Sequence, residues 1–182
     1  MSIILIKMSV GMILLYIALI LCLVGVLIGI VSIIGIIVFG GTNDFGYRHT
    51  PLGTIDDTDK TTFYGSLRVL IEGLINKYPT APIMFITPLH RADGDGSNEN
   101  TPNPHGKKLV DYVNAIKEIC ELYSIKVCDL WAKSGIQPNI PIHKDLYTSK
   151  TTGYPDGDGL HPNGIGHQRI APIIANDFND LL

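Results

Sequence analysis

The residue pair with the clearest chemistry in this sequence is a carboxylate followed three positions later by an imidazole. Asp158 and His161 lie in the segment DGLHPN (158–163), whose Gly and Pro residues indicate a loop. On a loop, a carboxylate at this spacing can accept a hydrogen bond from imidazole Nδ1 and leave Nε2 facing a cleft. We therefore predict that His161 is a general base and that Asp158 orients it, a contribution of roughly 10²- to 10⁴-fold to rate.

A second polar group, GTND (41–44), follows the apolar run 35–39. At a strand end, the side-chain amide of Asn43 is a donor that could hold the oxyanion of a tetrahedral intermediate, an effect of about 2.7 to 4 kcal/mol. Gly41 and Asp44 are candidate substrate-binding residues beside it. An Asn in a Gly-rich turn is also often only a turn residue, because Asn tolerates a left-handed backbone. Either group alone is a weak signal.

Strands and helices alternate between these two groups. Apolar runs predict strands over 35–39, 82–87 and 125–130, and apolar residues at three- and four-residue spacing predict helices over 58–78, 107–123 and 164–178. The segment 90–106 is predicted to be a long polar loop, in which 93–97 are solvated and rim the cleft, and 132–163 to be irregular. His167, near the last helix start, is expected to be a structural hydrogen-bonding group. The alternation predicts a parallel sheet covered by helices, with ligands beyond the carboxyl ends of the strands.

The beginning of the chain differs in composition from the rest. Lys7 is the only charged residue before Asp44, and the run 8–34 is longer than the roughly 20 apolar residues that span a bilayer. We therefore expect residues 1–34 to be an apolar, membrane-anchoring helix and residues 35–182 to be a separate domain, outside the cytoplasm. The alternative is that the run consists of buried segments of the domain, or that the reading frame starts abnormally.

Composition excludes or disfavours several other classes of protein. A hydrophobic content of 46% excludes a disordered chain, and a net charge of −3 without a basic run disfavours nucleic-acid binding. Cys22, Cys120 and Cys128 have neither disulfide-framework nor zinc-site spacing. Asp156, with the 158–161 pair, could hold a divalent cation, but ligands this close on a Gly-rich loop are as easily a turn.

Taken together and in this order, the two groups resemble those of the SGNH (GDSL-like) hydrolases. The resemblance covers roughly residues 35–182 and implies a three-layer α/β/α sandwich with a parallel, flavodoxin-like sheet. By that resemblance, Asn43 matches the oxyanion-hole asparagine, His161 the catalytic base and Asp158 the acid that orients it. The implied activity is hydrolysis of small-molecule or carbohydrate esters through a serine acyl-enzyme, with no metal and no organic cofactor.

One part of the family pattern is not recognisable here. The family begins with a strand and a Gly-Asp-Ser turn that supplies the nucleophile, and no Gly-Asp-Ser occurs in this sequence. Ser9 is the nearest substitute, but it lacks the Asp and Gly neighbours. The alternative hypothesis is therefore a catalytically inactive, truncated, membrane-anchored protein that lacks the nucleophile. The missing strand would also leave the 36–39 edge unpaired, unless residues 2–7 or part of 23–31 fill the gap.

Overall fold

The computed structural model describes residues 35–92 and 97–182 of the chain. The predicted apolar helix and membrane anchor of residues 1–34 lie outside the described residues. Within the two described stretches, no helix is both long enough and apolar enough to span a bilayer.

The described domain contains three strands and six helices, with at least one helix after each strand. The strands are β1 (Ile36–Phe39), β2 (Ile83–Ile86) and β3 (Lys126–Cys128). The helices are α1 (Thr42–Gly46), α2 (Phe63–Lys77), α3 (Leu109–Leu122), α4 (Leu130–Lys133), α5 (Pro141–Tyr147) and α6 (Gly164–Asn179). The three predicted strands and the three long predicted helices are all present, so the alternating α/β arrangement is confirmed.

The three strands form one parallel sheet in the order β1-β2-β3. Ile36 is paired with Ile83, and Met84 with Lys126, so β2 lies between its two neighbours. All four residues of β2 are buried, as expected for the central strand of a sheet covered on both faces. Among the described residues, β1 pairs only with β2 and forms one edge of the sheet.

Two apolar clusters pack on opposite faces of this sheet. On one face, α2 and α3 cover Ile83 and Phe85 of β2. On the other face, α6 covers Met84 and Ile86 of the same strand, chiefly through Ile170. The alternation of side chains along β2 therefore supplies both cores, and helices lie on both faces of the sheet.

The first strand departs from the prediction that it is buried on both faces. Ile36 and Val38 pack against the α2 and α3 cluster, whereas Ile37 is 45% exposed and Phe39 is 52% exposed. In the described part of the chain, α6 covers β2 and β3 on that face but does not extend over β1. The outer face of β1 therefore contributes apolar surface to the region beside its carboxyl end.

Several boundaries also differ from the sequence prediction. The helix expected from Thr58 begins at Phe63, because Thr62 caps it by accepting a hydrogen bond from the Gly65 N–H at 3.2 Å. Thr62 in turn donates to Asp57 at 2.7 Å, which holds the preceding segment as a loop. The third strand ends at Cys128 rather than at Leu130, the residue at which α4 begins. The short helices α1 and α5 lie in segments predicted to be a turn and irregular, and all three short helices contain too few residues to show an apolar period.

Candidate active site

The predicted carboxylate–imidazole pair is present. Nδ1 of His161 lies 2.7 Å from Oδ2 of Asp158. A carboxylate can only accept a hydrogen bond, so this contact places the ring proton on Nδ1 and leaves the Nε2 lone pair available. The Asp158 side chain is 8% exposed and the His161 side chain is 72% exposed. The pair thus combines a buried orienting group with an imidazole that is open to a ligand.

Backbone donors stabilise the charged form of the carboxylate. The N–H groups of Leu160 and His161 donate to Oδ1 of Asp158 at 2.8 and 2.9 Å. Burial alone raises the pKa of Asp158, but these bonds and the contact with the His161 ring outweigh it and hold the pKa below its ordinary value. Asp158 is therefore an anion at neutral pH, as a group that orients an imidazole must be.

The loop that carries the pair is fixed to the segment before it and to the last helix. The Ser149 N–H donates to the His161 carbonyl at 2.8 Å, and the Asp158 N–H donates to the Ser149 carbonyl at 2.8 Å. Asn163 caps α6 through its side-chain oxygen, which accepts from Ile165 and Gly166, and its amide donates to the Thr148 carbonyl at 3.0 Å. The position of His161 therefore depends on backbone contacts rather than on its own packing.

Asn43 is the second residue of α1, directly beyond the carboxyl end of β1. The chain enters this helix through Gly41, whose φ of +99° is a backbone conformation that favours glycine. A Cβ at Gly41 would also approach side-chain atoms of Ile116 and Phe63 to 3.2 and 3.3 Å. Asn43 is exposed, and its side-chain amide has no hydrogen-bond partner among the residues described. That amide is therefore available as a donor to a ligand.

One cavity brings Asn43 and His161 together. It has a volume of about 240 Å³ and lies where β1 and β2 end and the 158–163 loop begins. Its lining is mainly apolar and includes Phe39, Gly40, Thr42, Asn43, Pro88, Leu89, Arg91, Leu160, His161, Pro162 and His167. The predicted base and the predicted oxyanion donor thus line one hollow at the carboxyl edge of a parallel sheet, where α/β domains bind their ligands.

The two candidate substrate-binding residues lie elsewhere. Gly41 and Asp44 line a neighbouring cavity of about 170 Å³, which borders α2 and α3 rather than the 158–163 loop. The Asp44 carboxylate also accepts a hydrogen bond from the Thr50 hydroxyl at 3.1 Å. The cavity that holds Asn43 and His161 therefore gives no support to a substrate-binding role for either residue.

Two residues of the cavity were missed as site residues. His167, expected to be structural, is exposed and lines the cavity, and its ring has no hydrogen bond with the described residues. Arg91 lies in the segment predicted to be a polar loop but is 1% exposed. His167 follows the 158–163 group closely, which was the available signal, whereas nothing around Arg91 in the sequence indicates that its guanidinium is buried.

Solved structures that are similar to this chain share its fold. One crystal structure is 37% identical with a TM-score of 0.70, and the match covers 80% of this chain and 64% of that one. A protein from Lactobacillus plantarum is 35% identical with a TM-score of 0.73, covering 82% of this chain and 68% of that one. The chain thus spans about two thirds of the length of these relatives. No curated protein matches the chain.

A more distant neighbour is a possible lipase from Chitinophaga pinensis, which is 24% identical with a TM-score of 0.62. That match covers 80% of this chain and 72% of the neighbour, and it supports the fold alone. The family model for the GDSL-like lipase/acylhydrolase family matches residues 34–169, a stretch that includes Asn43, Asp158 and His161. The chain therefore belongs to the GDSL-like lipase/acylhydrolase family.

Proposed function

We propose that this protein hydrolyses carboxylic esters at the cavity shared by Asn43 and His161. The observation that carries the proposal is the 2.7 Å contact between Asp158 and His161 on the cavity that Asn43 also lines. An oriented base and an uncommitted amide donor are two of the parts that acyl transfer requires. Membership of the family supports ester hydrolysis as the reaction class.

In the proposed mechanism, Nε2 of His161 removes the proton from a serine hydroxyl as the serine oxygen attacks the ester carbonyl. The Asp158 carboxylate stabilises the imidazolium that forms, and the Asn43 amide donates to the oxyanion. The imidazolium then gives its proton to the departing alcohol, which leaves an acyl-enzyme. Water, deprotonated by the same imidazole, releases the acid and regenerates the serine.

The cavity favours a small acyl group. Its volume of about 240 Å³ lies below the roughly 300–1,000 Å³ of sites for drug-sized ligands. Phe39, Leu89 and Leu160 give it apolar walls that suit a short hydrocarbon chain better than a charged group. We therefore propose that the substrates are esters of short-chain acids, and that acylated carbohydrates are one class of them.

The nucleophile is the part of the mechanism that the described residues do not supply. No serine is among the described residues that line the cavity. This observation favours the second candidate function, a family member without hydrolytic activity that at most binds a ligand in the cavity. A fluorophosphonate probe distinguishes the two, because it labels an activated serine covalently, and mass spectrometry of the digest identifies the labelled residue.

Hydrolysis of p-nitrophenyl acetate by wild-type protein and by His161→Ala tests the proposal directly. Because His161 is 72% exposed, we expect its removal to leave the fold intact, and the proposal predicts a loss of at least about 10²-fold in kcat. His105→Ala is the matched control, since His105 is also exposed but lies outside the cavity lining. Equal rates for wild-type and His161→Ala protein would support the second candidate function.

A further inference from the structure

The largest of the fully buried side chains in the described domain is that of Arg91. Burial of a guanidinium is costly unless the charge is held by hydrogen bonds or by a partner of opposite charge. Arg91 follows β2 closely in sequence and lines the cavity that Asn43 and His161 share. A charged group buried at this place calls for a role, and neither proposed acyl-transfer step uses it.

The guanidinium contacts the helix that carries Asn43. Nη1 of Arg91 donates to the carbonyl of Thr42 at 3.3 Å and to its hydroxyl at 3.2 Å. The guanidinium carbon also lies 5.8 Å from the ring centre of Phe45, a cation–π distance. Thr42 and Phe45 stand on either side of Asn43 in α1, so Arg91 contacts this short helix at two points.

The other end of the Arg91 residue is held just as firmly. The backbone N–H of Arg91 donates to Oε2 of Glu99 at 2.8 Å, and the Glu99 side chain is itself buried. The Asn139 amide donates to Oε1 of Glu99 at 2.8 Å and to the Arg91 carbonyl at 3.3 Å. The guanidinium therefore reaches α1 from a backbone that is fixed independently of α1.

The space for the guanidinium depends on a glycine of α1. A Cβ at Gly46 would lie 2.5 Å from Nη1 of Arg91 and 2.6 Å from the Ser97 hydroxyl oxygen, closer than atoms can pack. Nη2 of Arg91 also donates to that hydroxyl at 2.8 Å. Gly46 has an ordinary helical position, so it is the close approach of Arg91 that requires a residue without a side chain here.

We propose that Arg91 is a positioning residue for the oxyanion donor, holding α1 so that the Asn43 amide faces the cavity. A helix of five residues has little stability of its own, so its orientation depends on such external contacts. This inference rests on the proposed role of Asn43. Arg91 acts through Thr42 and Phe45 and makes no contact with the substrate in the proposed mechanism.

Arg91→Lys and Gly46→Ala test this role by independent routes. The lysine keeps the positive charge but lacks the planar set of guanidinium donors. The alanine at position 46 keeps Arg91 but displaces its guanidinium. For both variants we expect kcat for p-nitrophenyl acetate to fall about 10- to 100-fold, since a misplacement of about 1 Å can cost as much as about 10²-fold, while KM changes less than about threefold. A purely structural defect would lower the active fraction and the melting temperature instead.

Arg68→Lys is the matched control. Nε of Arg68 also donates to a backbone carbonyl, that of Asp57, at 3.0 Å, and its guanidinium carbon lies 5.7 Å from the ring centre of Tyr123. Arg68 does not line the cavity. We expect this variant to lose stability and to keep the kcat of the wild-type protein. If Arg91→Lys fails to fold, Thr42→Val takes its place, because it removes the hydroxyl acceptor and keeps the side-chain volume.

A spectroscopic measurement decides the inference without ester turnover. In protein labelled with ¹⁵N-asparagine, the side-chain amide signal of Asn43 is assigned by its loss in Asn43→Asp. The inference predicts that this signal shifts in Arg91→Lys and Gly46→Ala and stays in place in Arg68→Lys. An unshifted signal, or an unchanged kcat, in folded Arg91→Lys protein overturns it. If the wild-type protein shows no His161-dependent hydrolysis, the proposed function fails and the Asn43 signal still tests Arg91.

Discussion

Replacement of Asp158 by asparagine reverses the hydrogen bond that orients the imidazole. Oδ1 of the new amide can still accept from the N–H groups of Leu160 and His161, which now meet Oδ1 of Asp158 at 2.8 and 2.9 Å. The amide nitrogen then takes the place of Oδ2, 2.7 Å from Nδ1 of His161. Because an amide nitrogen only donates, Nδ1 must accept, and the ring proton moves to Nε2.

An imidazole with its proton on Nε2 cannot remove a proton from the nucleophile. For the same exchange in a working triad, the loss in kcat is about 10⁴-fold, which corresponds to about 5 kcal/mol in the activation barrier. We expect a loss of this order for Asp158→Asn with little change in KM. Asp145→Asn is the matched control, since Asp145 pairs with Lys150 at the surface, outside the cavity.

Two measurements check this expectation. Steady-state hydrolysis of p-nitrophenyl acetate gives the loss in kcat, and the ¹⁵N shifts of the His161 ring report directly which nitrogen carries the proton. The reasoning is refuted if Asp158→Asn keeps its ring proton on Nδ1, or if it retains wild-type kcat. The ring shifts test the hydrogen-bond argument even if the protein does not hydrolyse the ester.

The same carboxylate makes folding stability depend on pH. Because the folded-state pKa of Asp158 lies below its ordinary value, the anion is favoured in the folded protein. This contribution is present above the unfolded pKa of about 4 and is lost as the pH falls through the folded pKa. We therefore expect the difference in unfolding free energy between wild-type protein and Asp158→Asn to narrow as the pH is lowered below about 4. Urea unfolding at several pH values measures it, and a difference that widens in acid would contradict the argument.

Three further variants or reagents test other parts of the site and core. Asn43→Ala should lower kcat about 10²- to 10³-fold without lowering the melting temperature, since the removed donor is exposed. A loss of kcat that is accompanied by a lower melting temperature would point to misfolding instead. Gly41→Ala should cost about 1–2 kcal/mol in urea unfolding because φ is +99°, whereas Gly40→Ala, with no atom within 4 Å of its Cβ position, should cost less. Burial raises the pKa of the Cys120 and Cys128 thiols to about 12, so native protein at pH 8 should resist alkylation at both, as peptide mass spectrometry would show.

The sequence was most informative where the site depends on neighbours in the chain. Asp158 and His161 are three residues apart, so their hydrogen bond follows from a single loop. Asn43 could be placed because a strand of apolar residues ends directly before its turn. Both predictions needed only local structure and the rule that parallel strands share a carboxyl edge.

The sequence was least informative where burial is decided by distant contacts. Arg91 stands in a polar segment, and its burial depends on Thr42, which lies far earlier in the chain. Glu99 is buried for the same kind of reason, through Asn139. The exposed outer face of β1 was also not foreseen, because an apolar run looks the same whether one face or both are covered.

The separation in sequence between the two halves of the site has a consequence for its response to partial unfolding. The Asp158–His161 hydrogen bond closes a loop of only a few residues, whereas Asn43 meets that pair only while distant segments of the chain stay packed together. Local opening at the β1 edge would therefore separate amide from imidazole while the imidazole remains oriented. In a denaturant titration, we therefore expect the proposed ester hydrolysis to be lost at a lower denaturant concentration than the Nδ1 tautomer of His161.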